Sequence, residues 1–225
     1  MGFFGEWEEG KKGKRNTFLL LILAFLVGTI LTSVFNNFPA QQGTAQVFIT
    51  LLLVTAFLIV IETMFEKKNF YRTLGLGEKP LIALVCGTVV GFLLQVTSFS
   101  IATPFSAVIS SDVVLTFFFV VVAAAIVEEM FFRGVFQPVF TGLLTDYFKW
   151  NETKAGITAM VLQASMFAWF HWRVMNGSFQ LLLPTFIFAI LVTIGNYYFK
   201  SIGFGIGVHF TNNLLIWFVG LGFFG

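Results

Sequence analysis

Seven long apolar runs dominate this chain of 225 residues, and short polar segments separate them. A helix needs roughly 20 apolar residues to cross the hydrocarbon core of a bilayer, and each run has about that length. Only 11% of the residues are charged, whereas a typical soluble domain has about 25%. The chain is therefore predicted to be an integral membrane protein, with spans near 17–35, 44–65, 80–100, 112–140, 155–172, 179–199 and 202–222.

The predicted fold is an all-α, polytopic transmembrane bundle of seven to eight helices, since helices satisfy their own backbone hydrogen bonds in lipid. Residues 1–16 are a basic tail, and residues 17–225 are predicted to form a single helical domain. The first run is too long for a signal peptide and is not followed by a small-residue cleavage pattern. It is therefore predicted to be a retained first helix.

The distribution of basic residues predicts the orientation of the bundle. With the N-terminus in the cytoplasm, twelve of the 13 Lys and Arg residues fall on the inner side and only Arg173 on the outer side. The net charge of +2 thus describes topology and not a nucleic-acid partner, because no basic patch with interleaved aromatic residues is present. We predict a multi-pass protein of the cell membrane, in contact with lipid and with no nucleic-acid partner.

A pair of adjacent glutamates lies deep in the fourth run, in the motif EEMFFR that begins at Glu128. Ionisable side chains at membrane depth are costly, so their presence indicates a functional site. Glu129 and Arg133 are four residues apart and share a helix face, whereas Glu128 lies about 100° away and points elsewhere. One carboxylate can be held in an ion pair while Glu128 is free to act as a general base. A purely structural pair at a helix end is the alternative.

The only two histidines of the chain lie in two further polar clusters. Phe167 lies one turn before His171 on the same helix face, where its ring would restrict the imidazole. His209 and Asn213 are also four residues apart, so they can offer two hydrogen-bond donors to one point, as a developing oxyanion requires. The alternatives are a packed core or interfacial residue for His171 and polar contacts between helices for His209.

Other polar and small residues in the runs are assigned to structure. Gln95 is predicted to bond a neighbouring helix. Gly203, Gly205 and Gly207 give a small-residue face that lets another helix backbone come close.

The fourth run also contains signals for its own ends. Ser111 and Asp112 precede it and are predicted to cap its N-terminus. Pro138 lacks a backbone donor and is expected to kink or end the helix. The polar and aromatic stretch 141–154 is then predicted to lie at the inner membrane interface.

The three clusters are predicted to converge in the inner half of the membrane. The helix from Glu128 to Phe140 is about 18 Å long and that from Ala155 to His171 about 24 Å, so an antiparallel pair brings Glu128 and His171 to similar depth. His209 lies about 10 Å along the last helix from the same side.

The ordered motifs EExxxR, FxxxH and HxxxN on successive helices resemble those of the CPBP intramembrane proteases. That family includes the type II CAAX prenyl endopeptidases and the Abi-type proteins. The resemblance covers about residues 112–222 and departs from the family pattern at the polar insert 141–154.

The resemblance implies a role for each motif residue. Glu128 and His171 would activate a water for attack on a peptide carbonyl, and His209 and Asn213 would stabilise the oxyanion without a metal or other cofactor. The supporting residues would be Glu129, Arg133 and Phe167.

These observations favour an intramembrane, glutamate-dependent endopeptidase that cleaves a peptide or protein, with or without a lipid modification. Glu128, His171 and His209 are also a possible ligand set for zinc, although no HExxH helix is present. A non-catalytic membrane scaffold or immunity protein of the same fold and, more remotely, a bis-histidine haem protein are further alternatives.

Overall fold

The computed structural model describes residues 75–77, 79–98, 113–172 and 179–221. These residues are helical throughout apart from short turns, and they include no strand, which confirms the predicted all-α class for this part of the chain. Several predicted features lie outside the described residues: the basic tail 1–16, the spans 17–35 and 44–65, the Ser111–Asp112 cap and Arg173.

Five long helical elements account for the described residues, and their lengths of about 27 to 51 Å follow from the rise of 1.5 Å per residue. Three of them match predicted runs to within about two residues at each end, because no charged residue interrupts those runs. The elements are α1 (Pro80–Ser98), α2 (113–146), α3 (Glu152–Phe170), α4 (Phe179–Phe199) and α5 (Gly203–Gly220).

The element α2 alternates between α and π geometry. Its π-helical segments, Phe117–Ala123 and Met130–Phe136, flank the short α-helical segment Ala124–Glu129, which ends with both glutamates. Stretches of π-helix are rare and often occur at functional sites. Pro138 lies in the first turn of the last segment, Gln137–Asp146, so it marks a change of helix type and does not end the element.

The location of 141–154 at the inner membrane interface stays a prediction, but the first part of this stretch is helical and packed inside the protein. Thr141, Gly142 and Leu144 are buried within α2, where the last segment packs against α3. The chain then turns, and the side chain of Asn151 caps α3 by accepting a hydrogen bond from the Lys154 backbone N–H at 2.8 Å. The polar residues of this stretch therefore begin and end two packed helices.

Glycines set the distance between α1 and α5, which form the most extensive helix pair in the described structure. A Cβ at Gly207 would overlap the carbonyl oxygen of Leu84, and one at Gly203 would lie 2.6 Å from that of Pro80. The predicted close approach is thus confirmed for these two glycines. It is wrong for Gly205, which faces Glu129 and Asn196 instead.

The described helices carry a largely apolar exterior. One stretch, Leu182–Phe199, is long and apolar enough to cross a membrane, with a mean hydropathy of 1.7, and Pro80–Val96 is a shorter apolar helix. On α1 the exposed side chains are mostly large and hydrophobic, among them Leu81, Val89 and Phe92. The predicted number of seven to eight membrane helices stays a prediction.

Candidate active site

The ion pair predicted between Glu129 and Arg133 is present and buried. Arg133 Nη1 donates to Glu129 Oε1 at 2.8 Å across one turn of α2, and the two side chains are at most 1% exposed. Arg133 Nη2 also approaches the Ala189 carbonyl at 3.5 Å, which ties α2 to α4. A buried charge is tolerable only when it is paired, so each of these groups depends on the other.

His209 on α5 lies between the two adjacent glutamates. Its Nδ1 is 3.3 Å from Glu129 Oε1, and its Nε2 is 3.9 Å from Glu128 Oε2. The offset of about 100° between adjacent helix residues suggested that Glu128 points away from Glu129 and Arg133. Glu128 instead faces Nε2 of His209, the imidazole whose Nδ1 faces Glu129. The carboxylate of Glu129, shared between Arg133 and His209, fixes one edge of that ring.

His171 ends α3 and turns its ring toward α2. Its Nδ1 is 2.8 Å from the carbonyl oxygen of Phe167, which can only accept, so Nδ1 carries the hydrogen of the neutral ring. The other nitrogen, Nε2, then presents a lone pair 3.6 Å from Glu128 Oε2. The backbone of α3 thus sets the tautomer that His171 offers to the site.

Glu128 Oε2 is the point where the three clusters meet. Both histidine Nε2 atoms lie within 4 Å of it, at 3.6 and 3.9 Å, yet it accepts no hydrogen bond from the described residues. Separations just beyond hydrogen-bond length are those that a single water can bridge. The Glu128 side chain is 13% exposed and that of His171 is 20% exposed, whereas Glu129 is fully buried, and the Oε2 atom of Glu128 is itself buried.

Phe167 packs against both histidines and the arginine of the site. Its ring centroid is 4.5 Å from that of His171 and 5.8 Å from that of His209, and the Arg133 guanidinium lies 4.4 Å from it. The predicted packing of Phe167 against His171 is therefore confirmed. A cation over an aromatic face is attracted to it, so the same ring also holds Arg133.

Asn213 lies one turn beyond His209 but is held by a different set of bonds. Its Nδ2 donates to the Val120 carbonyl at 2.9 Å, and its Oδ1 accepts from Asn212 Nδ2 at 3.3 Å. Asn212 Oδ1 in turn accepts from Gln95, which confirms the predicted contact of Gln95 with a neighbouring helix. The side chain of Asn213 is thus fixed, and its role at an oxyanion stays a prediction.

The arrangement bears on the zinc alternative in two ways. Two imidazoles and a carboxylate are ligands that zinc accepts, and each imidazole bonds an oxygen through Nδ1, as metal-bound histidines do. Across the described ranges, however, no three His, Cys, Asp or Glu side chains have the spacing of a metal site. The assignment of no metal and no other cofactor stays a prediction.

The sequence did not single out a second layer of buried polar residues beneath the site. These side chains surround Arg133 and are at most 3% exposed apart from Tyr197, at 8%. The sequence pattern that could have identified them is a polar residue four positions after Arg133 in α2, or a polar residue inside the apolar runs of α3 and α4. They are Gln137, Gln163, Thr193, Asn196 and Tyr197.

Comparison with known families gives one match. Residues 110–215 match the model of a family described as type II CAAX prenyl endopeptidase Rce1-like. The matched range contains all four predicted catalytic residues and the whole of the convergent site. No match was found among curated proteins or among solved structures.

Proposed function

We propose that this chain is a glutamate-dependent intramembrane endopeptidase, because residues 110–215 match the model of the type II CAAX prenyl endopeptidase Rce1-like family, a family of membrane-associated proteases. The observation that supports it most is the convergence of both histidine Nε2 atoms on Glu128 Oε2. A water held among these three atoms lies beside side chains from three helical elements, namely the carboxylate of Glu128 and the imidazoles of His171 and His209.

Glu128 is the proposed general base. Its carboxylate takes a proton from the water as the oxygen attacks the carbonyl carbon of the peptide, and His171 Nε2 orients that water. Because the Phe167 carbonyl keeps the hydrogen on Nδ1, the Nε2 of neutral His171 can accept a hydrogen bond from the same water. Glu128 is suited to this role because its Oε2 accepts no hydrogen bond from the described residues and lies between the two imidazoles, beside the buried ion pair.

His209 and Asn213 are the proposed oxyanion donors. His209 gives its Nδ1–H to Glu129, so in its imidazolium form the Nε2–H is directed into the site, where negative charge develops on the carbonyl oxygen. Glu129 then acts as the counter-ion that orients the ring, as the buried carboxylate does in a catalytic triad. Asn213 keeps one Nδ2 hydrogen for this purpose beside the one that it gives to Val120.

Collapse of the tetrahedral intermediate breaks the C–N bond and requires a proton on the leaving nitrogen. The proton taken from water by Glu128 passes to that nitrogen, directly or through His171, and the products are a carboxylic acid and an amine, which leave as a carboxylate and an ammonium group once the acid's proton has passed to the amine. The side chains return to their starting protonation, and no co-reactant other than water is consumed.

The proposed substrate is a peptide or protein held at the membrane, in particular one with a prenylated C-terminal CAAX sequence, as the family's description indicates. The proposed location is a multi-pass position in the cell membrane. A site formed by α2, α3 and α5 beneath an apolar exterior suits a substrate that is itself anchored by lipid.

Substitution of Glu128 tests the proposal. Purified full-length protein in liposomes is given a farnesylated CAAX peptide, and membrane peptides from cells that express wild type or Glu128→Gln are compared. We expect Glu128→Gln to lower kcat at least about 100-fold, because the amide cannot accept the water's proton. The matched control is Glu152→Gln, the same change at an exposed position at the start of α3.

The outcomes separate the alternatives. Cleavage by Glu128→Gln at the wild-type rate would refute the proposed base. If Glu128→Ala still supports the protein's function in cells, the non-catalytic scaffold is favoured. If activity is lost in chelator and restored by zinc, and elemental analysis finds zinc, the metal-dependent hydrolase is favoured.

A further inference from the structure

Glu129 carries a buried oxygen whose partner the motif residues do not supply. Its Oε1 is bonded to Arg133 and faces His209, whereas its Oε2 accepts no hydrogen bond from the described residues. The residue is fully buried, and a buried acceptor without a donor costs about 1 to 3 kcal/mol. Oxygens of this kind in native structures are normally satisfied.

Asn196 on α4 has a buried hydrogen-bond donor that is likewise without a partner among the described residues. Its Oδ1 accepts from the backbone N–H of Gly205 at 2.7 Å, which fixes the orientation of the carboxamide because a backbone N–H can only donate. The opposite end, Nδ2, donates to none of the described residues, although the side chain is 97% buried.

Gly205 brings the two unpaired atoms together. A Cβ built on Gly205 would overlap Glu129 Oε2 and would lie 2.9 Å from Asn196 Nδ2. The unmatched acceptor and the unmatched donor thus border the same small volume above the glycine. Only a residue without a side chain leaves that volume for them.

A cavity of about 10 Å³ lies on the side of Asn196 that faces Arg133. It is lined by Arg133, Thr193 and Asn196 among others, and the Arg133 Nε is also without an acceptor among the described residues. A volume of this size accommodates about one water molecule, which needs two to four polar partners of the kind found here.

We propose that Asn196 is a positioning residue, which supplies the hydrogen-bond donor for Glu129 Oε2 across the space beside Gly205. Through Glu129 it fixes the edge of His209 that faces away from the substrate. One side chain of α4 thereby connects the start of α5, by Gly205, to the ion pair of α2. The catalytic consequence rests on the proposed function, whereas the contact itself does not.

The test replaces the donor without removing the acceptor. Asn196→Asp keeps an oxygen for the Gly205 N–H but places a carboxylate opposite Glu129. Asn196→Ser introduces no charge, retains a hydroxyl for Gly205 and is too short to reach Glu129. The matched control is Gln137→Glu, which places a carboxylate on the same cavity from an amide that bonds Tyr197 at 2.7 Å.

The first readout is spectroscopic and needs no turnover. In full-length protein with ¹⁵N-labelled histidine only two side chains give signals, and we expect the ring signals of His209 to move in both Asn196 variants while those of His171 and of the Gln137→Glu protein do not. His209 signals that stay unchanged in Asn196→Asp and in Asn196→Ser would overturn the proposal.

The second readout is kinetic. We expect Asn196→Asp to lower kcat about tenfold or more, with KM changed less than twofold. In a Glu129→Gln background the same substitution should change kcat less than twofold, because the new amide can donate to Asp. Equal losses in both backgrounds would show a merely structural role and would refute the proposal. Because the histidine signals do not depend on cleavage, failure of the Glu128 mechanism leaves them interpretable.

Discussion

At the scale of single residues, the buried carboxylate of Glu129 connects two other residues of the site. Glu129 receives Arg133 at 2.8 Å and His209 Nδ1 at 3.3 Å on the same oxygen, so its negative charge is shared between a permanent cation and a titratable ring. Glu128, one residue earlier, has no such partner and is partly exposed. Adjacent residues of one type thus have separate roles that follow from their surroundings.

Removal of the Arg133 charge should destabilise the whole fold, because it leaves a buried carboxylate without its cation. We expect Arg133→Met to lower the free energy of unfolding by about 3 to 5 kcal/mol, because it leaves the fully buried Glu129 without its cation. Reversible unfolding in mixed detergent measures the change. The matched control is the double variant Arg133→Met with Glu129→Leu, in which no charge is left unpaired.

The double variant should recover most of the lost stability while remaining inactive. If it unfolds as readily as Arg133→Met alone, the destabilisation comes from lost packing on Phe167 and not from the unpaired charge. The guanidinium lies 4.4 Å from that ring, so both contributions have a structural basis.

Residues four apart on one helix were predictable from the sequence, because the geometry of a helix alone brings them together. The pairs Glu129 with Arg133 and Phe167 with His171 are therefore as expected. Asn196 was not predictable, since its partner Gly205 lies nine residues later on another helix and the third member, Glu129, is on a third. No local pattern encodes such a contact.

At the scale of the elements, apolar periodicity predicted α1, α4 and α5 closely but failed where polar residues are buried. The fourth run was predicted to end near residue 140, yet α2 continues to Asp146 and buries Thr141, whose hydroxyl donates to the Gln137 carbonyl one turn earlier. The π-helical segments of α2 were also not predictable, since they depend on packing against neighbouring elements. Apolar length alone therefore underestimates a helix that buries its own polar side chains.

The close contact of α1 with α5 should depend on the absence of a side chain at Gly207. We expect Gly207→Ala to lower the thermal unfolding midpoint and to slow cleavage, because its methyl group would overlap the Leu84 carbonyl and force the two backbones apart. The control is Gly220→Ala, an exposed position at the end of the same helix, where alanine should be neutral or slightly stabilising.

A Gly207→Ala protein that unfolds at the wild-type temperature would contradict the glycine-mediated contact. If instead stability falls and the kcat of the remaining folded protein is unchanged, α1 serves only as a support for α5. A fall in both stability and kcat would mean that a shift of α5 also displaces His209 in the site.

At the scale of the whole molecule, the helices have the length of a bilayer and the basic residues have the asymmetry of a membrane protein. α3 and α4 contain 19 and 21 residues, which correspond to about 28 and 32 Å, close to the hydrocarbon thickness. The sequence predicts that α3 begins on the cytoplasmic side, next to Lys154, and that the start of α4 lies on the outer side.

Cysteine labelling can test this orientation, since the chain has one native cysteine, Cys86, that can be replaced by alanine. Two single-cysteine variants, at the exposed positions Lys154 and Phe179, are placed in sealed vesicles of known orientation and treated with a membrane-impermeant maleimide. We expect Lys154→Cys to react only from the cytoplasmic face and Phe179→Cys only from the outer face. Labelling of both from one face would contradict a membrane-spanning α3, and reversed labelling would contradict the predicted cytoplasmic start of α3.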